Sequence, residues 1–441
     1  MPGALLAVAY ASLLLFAMRR MPFYARVPGL SMRGVAALFL LKVAAGTALW
    51  AVYTYVYTDR ATADVFKYFD DSAVLFSALP ERPGDYLRML FSVDNDTPWF
   101  DEQYYQRMNN WYRQWESNLH NDAHTVIRFN AVVRLFSFGH FHVHTVAAAF
   151  LSLTGTLGLY RAFVGRLAGR ERALAIALFG LPSVLFWASG VIKESLLFFG
   201  LGILVWQVLR MLDGRATVAG ALMLGAAMAL LYHLKFYVLL SMVPALAFLA
   251  WARLTGGRRP LLKMAVVYAA FIAAGLNAQR FIPGFDILEV ITWKQRDFIG
   301  LALETRSGSF VMPPLLQPDA LSFVRTIPYA LWITLAGPVA HGGGGALGLA
   351  SAAENIVVLA VLAALLQYRL PWSGIDRPLL LALAGYGFVL ACVIGWTTPI
   401  MGALVRYRAP LLPFLLVAAL LAFDHRRALA RWPRLKPLLS A

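Results

Sequence analysis

Residues 216–252 read ATVAGALMLGAAMALLYHLKFYVLLSMVPALAFLAWA. Two apolar runs, Ala216–Tyr232 and Phe236–Ala252, flank His233-Leu234-Lys235. Each run is about 17 residues, the lower end of the range that crosses a hydrocarbon core of roughly 30 Å as an α-helix. The stretch is therefore expected to form two membrane helices, with a turn at YHLKFY that carries a histidine and a lysine at the membrane surface.

The same pattern recurs along the chain of 441 residues, of which 60% are hydrophobic and 14% charged. A soluble domain is nearer half apolar and a quarter charged, so a soluble enzyme, a disordered chain and a small disulfide scaffold are excluded. The single cysteine, Cys392, allows no intramolecular disulfide. The expected class is an all-α polytopic membrane protein, a single transmembrane domain over residues 1–441, with about 11 spans (10–13). They are Gly3–Met18, Gly34–Tyr57, Phe141–Phe163, Ala173–Ala188, Val191–Leu209, Ala216–Tyr232, Phe236–Ala252, Leu261–Phe281, Leu349–Tyr368, Leu379–Thr397 and Pro410–Phe423. The apolar segment Asp319–Val339 is interrupted by Pro328 and Pro338. It reads as an interfacial or re-entrant helix, with a twelfth span as the alternative.

Orientation follows from the basic residues. No lysine or arginine precedes the first apolar stretch, and Arg19-Arg20 follow it, which suits a membrane helix rather than a cleavable signal peptide. With Arg19 in the cytoplasm, the N-terminus is outside and the C-terminus cytoplasmic. Alternating connections then place 21 basic residues against four acids (Glu171, Asp213, Asp376, Asp424) on the cytoplasmic side, including the basic tail 424–441. The formal charge of +16 would suggest nucleic acid in a soluble protein. Here it is spread over short cytoplasmic loops as topology requires, so membrane lipids are expected partners and nucleic acid is not.

The outer side holds two long connections, 58–140 and 282–348. The first carries 12 of the 23 acids. Long structured loops tend to carry function, so the chemistry is expected on the outer face. No internal repeat, Walker loop or dinucleotide fingerprint is present, and the HGGGG run at 341–345 reads as a hinge or a phosphate cradle.

Within the first loop, Tyr53, Tyr55 and Tyr57 suit an aromatic belt, and Asp59 and Asp64 follow at the membrane surface in TDRATADVFKYFDDS. Such carboxylates can act as a general base toward an acceptor hydroxyl, bind a divalent cation, or simply face solvent. Asp70 and Asp71 are further candidates, and Asp101-Glu102 a weaker pair. In residues 101–120, Tyr104, Met108, Trp111 and Trp115 recur at helical spacing, which reads as an amphipathic helix on the outer leaflet. His140, His142 and His144 in HFHVH would share one face of a strand and could bind zinc, but the helical, interfacial reading is preferred. Lys193 and Glu194, His233 and Lys235, Arg280, and Arg406 and Arg408 all fall at outer helix ends. Such cations suit a lipid-linked phosphate, or else snorkel to the headgroups. Lys42 lies within the second span, and Glu354-Asn355 begin the ninth at its outer end.

The layout, the first outer loop with ADVFKYFDDS, the turn LPSVLFWASGVIKES and the late RYRAPLLPFLL resemble bacterial membrane glycosyltransferases of the GT-C type and their relatives in exopolysaccharide synthesis. That resemblance implies a polyprenyl-phosphate sugar donor and a saccharide, lipid or protein acceptor at the outer face of the bacterial inner membrane. Asp59 or Asp64 would activate the acceptor, and Lys193, His233, Lys235, Arg406 and Arg408 would hold the donor phosphate, with Glu194 and Glu354 as additional candidates. The family's adjacent Asp-Glu pair after the relevant helix is missing. Two other expectations remain open: an O-antigen-type polymerase or ligase, and a transporter or flippase of lipid-linked saccharides.

Overall fold

The computed structural model describes residues 2–112, 121–341 and 345–439. The helices needed below are, in chain order, α1 (Pro2–Arg20), α2 (Met32–Tyr55), α3 (Asp64–Ser77), α4 (Ala123–Ser137), α5 (Phe141–Phe163), α6 (Glu171–Phe179), α7 (Pro182–Trp187), α8 (Lys193–Leu212), α9 (Val218–Leu254), α10 (Pro260–Leu276), α11 (Ile287–Glu304), α12 (Ala320–His341), α13 (Ala346–Gln367), α14 (Arg377–Thr397), α15 (Met401–Tyr407) and α16 (Leu412–Ala422). Among the described residues no strand forms, only isolated bridges. Among the described residues, eight helices are long and apolar enough to cross a membrane, and the pair α15–α16, bent by 54°, meets the same criterion together. The protein is an all-helical, polytopic membrane protein.

The stretch around α9 shows how the bundle is threaded. An unbroken helix of 37 residues would measure ~55 Å at 1.5 Å per residue, and its two ends could not meet. They do meet: Arg215, just before α9, and Arg253, in its last turn, line one cavity together with Arg210 and Asp376. The chain therefore reverses inside α9, and the non-helical backbone of Lys235 (φ −150°, ψ 79°) marks the place. The first half packs on α8, where Gln207 donates to Met223 at 3.3 Å. The second half runs back along α14, with Arg253 paired to Asp376. Below, the end holding Lys235 is called the loop end, because residues 58–140 pack there, and the opposite end the basic end.

Several expected elements take a different form. Ala173–Ala188 is two short helices, α6 and α7: the first stops before Gly180, and Pro182, which lacks an N–H, takes the first turn of the second, where no N–H partner is needed. The polar groups freed at the break find Glu354 on α13, which accepts from Ser183 N at 2.5 Å and from Ser183 Oγ at 2.6 Å. The prolines of α12 do not interrupt it, and at 22 residues it meets the length and apolarity that the twelfth-span alternative requires. The expected Leu261–Phe281 span is the shorter apolar helix α10.

The amphipathic helix expected over 101–120 is not formed by the described part. Helix ends at Gln103, a 3-10 turn covers Tyr105–Arg107, and Tyr104, Met108 and Trp111 are buried. Their rings serve the loop's own core: Trp111 stacks on Tyr105 (centroids 4.2 Å apart) and on His124 (3.8 Å). Trp115 and Gly342–Gly344 lie outside the described residues. HFHVH is helical from Phe141 onward. Among the described residues no three His, Cys, Asp or Glu side chains are grouped to hold a metal ion.

Close backbone contact sets the tightest helix pair. On α5 and α8, a Cβ at Gly155 would run into the Phe198 carbonyl, and one at Gly202 into the Gly155 carbonyl. Small residues let membrane helices approach this closely. Gly202→Val must push α5 and α8 apart, so loss of monodisperse folded protein in detergent is expected by size-exclusion chromatography. Gly225→Val, where the added atom meets open space, is expected to purify like the parent.

Candidate functional site

The described part of the first loop is folded, and its core is continuous with the bundle. Along α3, Val65, Phe66, Tyr68, Phe69, Ser72 and Leu75 are buried at helical spacing, facing α4. This core also takes in Ile192, Leu196 and Leu234, which lie beside Lys193, Glu194 and Lys235. Polar ties fix the layers. Arg134 on α4 donates to Ser72 Oγ at 2.8 Å and to the Phe69 carbonyl at 2.6 Å. His144 on α5 bridges Ser137 (2.8 Å) and Asn130 (2.7 Å) on α4. The effect is to hold the first residue of α3, Asp64, over the loop end of the bundle.

There Asp64 meets Arg406 of α15, with Nη1 2.9 Å from Oδ2. The Nε of Arg406 lies 2.8 Å from Glu194 Oε1. The same oxygen accepts from Lys235 Nζ at 2.7 Å. Glu194 is fully buried and thus sits between two cations. Its neighbour Lys193 points to one side of Glu194, since consecutive helical side chains do not share a face, but its charge still acts on Asp64. Lys193 instead pairs with Asp122, just before α4, at 2.8 Å. Aromatic rings line the cluster: Lys235 lies 4.2 Å from the Tyr407 centroid, and Arg406 5.8 Å from that of Trp187. Among the described residues, Glu194 Oε2 and the Tyr237 hydroxyl are buried without a hydrogen-bond partner. Buried orphans of this kind call for a ligand, a water or an ion.

Of the residues singled out in the sequence, Asp64, Lys193, Glu194, Lys235 and Arg406 come together, from four separate parts of the chain. The others do not join them. Asp59 is exposed and accepts from its own loop at Ala61 N. Asp70 pairs with the exposed Arg60 at 2.6 Å. Asp71 is a structural acceptor, taking the backbone N–H groups of Asn109 and Asn110 at 2.8 Å each. His233 is exposed, its ring against Tyr232, and its carbonyl accepts from Thr125. Arg408 turns away from Arg406, since two helical positions are about 200° apart. It is buried against Asn355 of α13, beside Glu354. Lys42 is buried and donates to Ser152 of α5 at 2.9 Å.

Asp122, Trp187 and Tyr407 went unnoticed as site residues. Asp122 precedes α4, Trp187 ends α7 and Tyr407 follows Arg406 at the end of α15, but nothing in one-dimensional spacing says that they converge.

The electrostatics of Asp64 are a balance. Burial pushes its carboxyl up, and the charges of Arg406 and Lys193 together outweigh this, so it is held below the usual carboxylate range. As it stands, Asp64 is an ionised partner of Arg406 and a weak base. In Asp71, burial wins over the two backbone donors and its pKa is raised.

Comparison with family models, with curated proteins and with solved structures finds no match.

Removing one partner of a buried ion pair leaves the other charge uncompensated, at a cost of about 3–5 kcal/mol. Arg406→Ala and Glu194→Gln are each expected to lower thermal stability on that scale, and the double variant by less than their sum, in a double-mutant cycle read by thermal unfolding in detergent. The pH dependence has a definite sign. With its folded pKa depressed, Asp64 contributes stability above the ordinary carboxylate pKa of about 4 and loses it as pH falls through the lower folded value. Asp64→Asn is expected to flatten that acid limb in an unfolding series across pH.

Proposed function

We propose that this chain is a membrane glycosyltransferase of the GT-C type, acting at the outer face of a bacterial inner membrane. It would move a sugar from a polyprenyl-phosphate donor to an acceptor hydroxyl in cell-envelope or exopolysaccharide assembly. In this reading the loop end faces outward, the N-terminus is outside, the C-terminus is cytoplasmic, and there are about 11 spans, or 12 with α12. The observation that carries it is the position of Arg406. This cation is shared between a loop carboxylate, Asp64, and a buried one, Glu194, with Lys235 on the same carboxylate oxygen.

The chemistry follows from competition for Arg406. The donor phosphate takes Arg406 and Lys235, which stabilise charge on the leaving oxygen as it develops. Glu194 holds both cations in place and is a positioning residue. Once Arg406 faces the phosphate, the charge that depressed Asp64 is neutralised, and burial lifts its pKa toward that of a useful base. The acceptor hydroxyl then loses its proton to Asp64 as its oxygen bonds to the anomeric carbon. The bond from that carbon to the phosphate oxygen breaks, and the polyprenyl phosphate leaves with the electron pair. Trp187 and Tyr407, already against the cations, offer faces for a sugar ring.

Asp64→Asn is expected to lower sugar transfer from a polyprenyl-phosphate donor by about 10²–10⁴-fold, with donor binding retained, in protein reconstituted into nanodiscs. Asp59→Asn is expected to leave transfer unchanged. Full transfer by Asp64→Asn would sink the base assignment and favour the O-antigen-type polymerase or ligase, which can do without an acidic base.

A second reading, a transporter or flippase for lipid-linked saccharides, draws on the broken α6–α7 and the bent α15–α16, since transporters use discontinuous helices at their sites. It predicts movement of the lipid-linked saccharide across reconstituted vesicles with no new glycosidic product.

A further inference from the structure

A second charged site lies at the basic end, away from the cluster just described. A cavity of about 820 Å³ opens there between the ends of α5, α8 and α9. Five arginines line it, Arg161, Arg166, Arg210, Arg215 and Arg253, with two acids, Asp213 and Asp376, so the lining carries a formal +3 (five minus two). Each acid is already taken. Asp213 pairs with Arg166 at 2.6 Å, and Asp376 with Arg253. Arg161 is spent on neutral acceptors, the carbonyls of Pro22, Phe23 and Arg26. Arg210 lies over the Trp206 ring at 5.0 Å, and Arg215 is exposed in the turn before α9. Among the described residues neither has a carboxylate partner. Phe23 and Trp206, packed edge-on at 5.1 Å, form an apolar wall beside these cations.

Topology explains why arginines are numerous on this side, but not why they converge. Arginines that only snorkel would fan outward to separate headgroups. These come from three separate stretches of chain and line one concavity, where their fields add. Guanidinium groups at such a place recognise phosphate oxygens, and basic pockets between membrane helices suit anionic lipid heads.

We propose that this cavity binds a phosphate-bearing ligand, the headgroup of an anionic membrane lipid, with Arg210 and Arg215 as its main contacts and the Phe23–Trp206 wall against the apolar part. The site is independent of the transferase reading.

The test uses the full-length protein in neutral detergent and follows thermal unfolding during titration with short-chain phosphatidylglycerol, short-chain phosphatidylcholine or inorganic tripolyphosphate. Phosphatidylglycerol is expected to raise the melting temperature and phosphatidylcholine to leave it unchanged. In Arg210→Gln/Arg215→Gln the half-saturating concentration should rise about tenfold or more. In Arg258→Gln/Arg259→Gln, which removes two nearby cations outside the cavity, it should not move. Arg215→Gln alone, at an exposed position, is expected to weaken binding several-fold and covers the case of a poorly folded double variant. Stabilisation by tripolyphosphate equal to that by phosphatidylglycerol would assign the phosphate to a soluble ligand and overturn the lipid assignment. No stabilisation of the parent protein by either phosphate compound, or equal weakening by both arginine pairs, would overturn the site itself.

Discussion

A single carboxylate organises the loop end of this protein. Glu194 is fully buried, and one of its oxygens serves both Arg406 and Lys235. A charge in that position is tolerated only with cations against it. The arrangement therefore dictates where three parts of the chain go: the start of α8, the reversal in α9 and the end of α15. Arg406 then reaches a fourth, Asp64 at the start of α3, and so ties the loop to the bundle. Removing the carboxylate would leave two cations facing each other beside the Trp187 and Tyr407 rings.

The rest of the structure supplies the rigidity this arrangement needs. The described part of the loop is a small folded layer whose core runs into Ile192, Leu196 and Leu234, and it stands on α5 through Ser137, Asn130 and His144. Beneath it α5 and α8 meet backbone to backbone at Gly155 and Gly202. Where the bundle must break its helices, it repairs them locally. The gap between α6 and α7 is closed by Glu354, a residue that looked in the sequence like a site acid and proves to be a remote cap for Ser183.

Much of the fold was legible. The apolar runs locate most of the helices, since a membrane helix needs length and apolarity that few other segments have. The turn at YHLKFY was readable for the same reason: His233 and Lys235 interrupt a stretch, residues 216–252, that holds no other charged or imidazole side chain, and the backbone breaks at Lys235. Five of the candidate site residues converge (Asp64, Lys193, Glu194, Lys235 and Arg406), all charged groups at helix ends or at the break in α9. The failures have a common cause. Asp59, Asp70 and Asp71 sit in the same acidic loop as Asp64 and look alike in composition, yet one is exposed, one pairs with Arg60 and one holds two backbone amides. The aromatic pattern over 101–120 matched a helix, but burial of those rings in the loop's core decided the backbone instead.

By itself, then, the sequence determined that this is a helical membrane protein, roughly which segments lie in hydrocarbon, and which ionisable groups sit near its edges. These follow from the transfer of apolar surface and from the cost of charge, which act residue by residue. Tertiary structure alone decided which charges meet. Arg406 and Arg408 are two residues apart and of identical chemistry, yet one joins Asp64 and Glu194 while the other is buried against Asn355. Helical geometry sends them to opposite sides, and what waits on each side is set by residues far away in the chain.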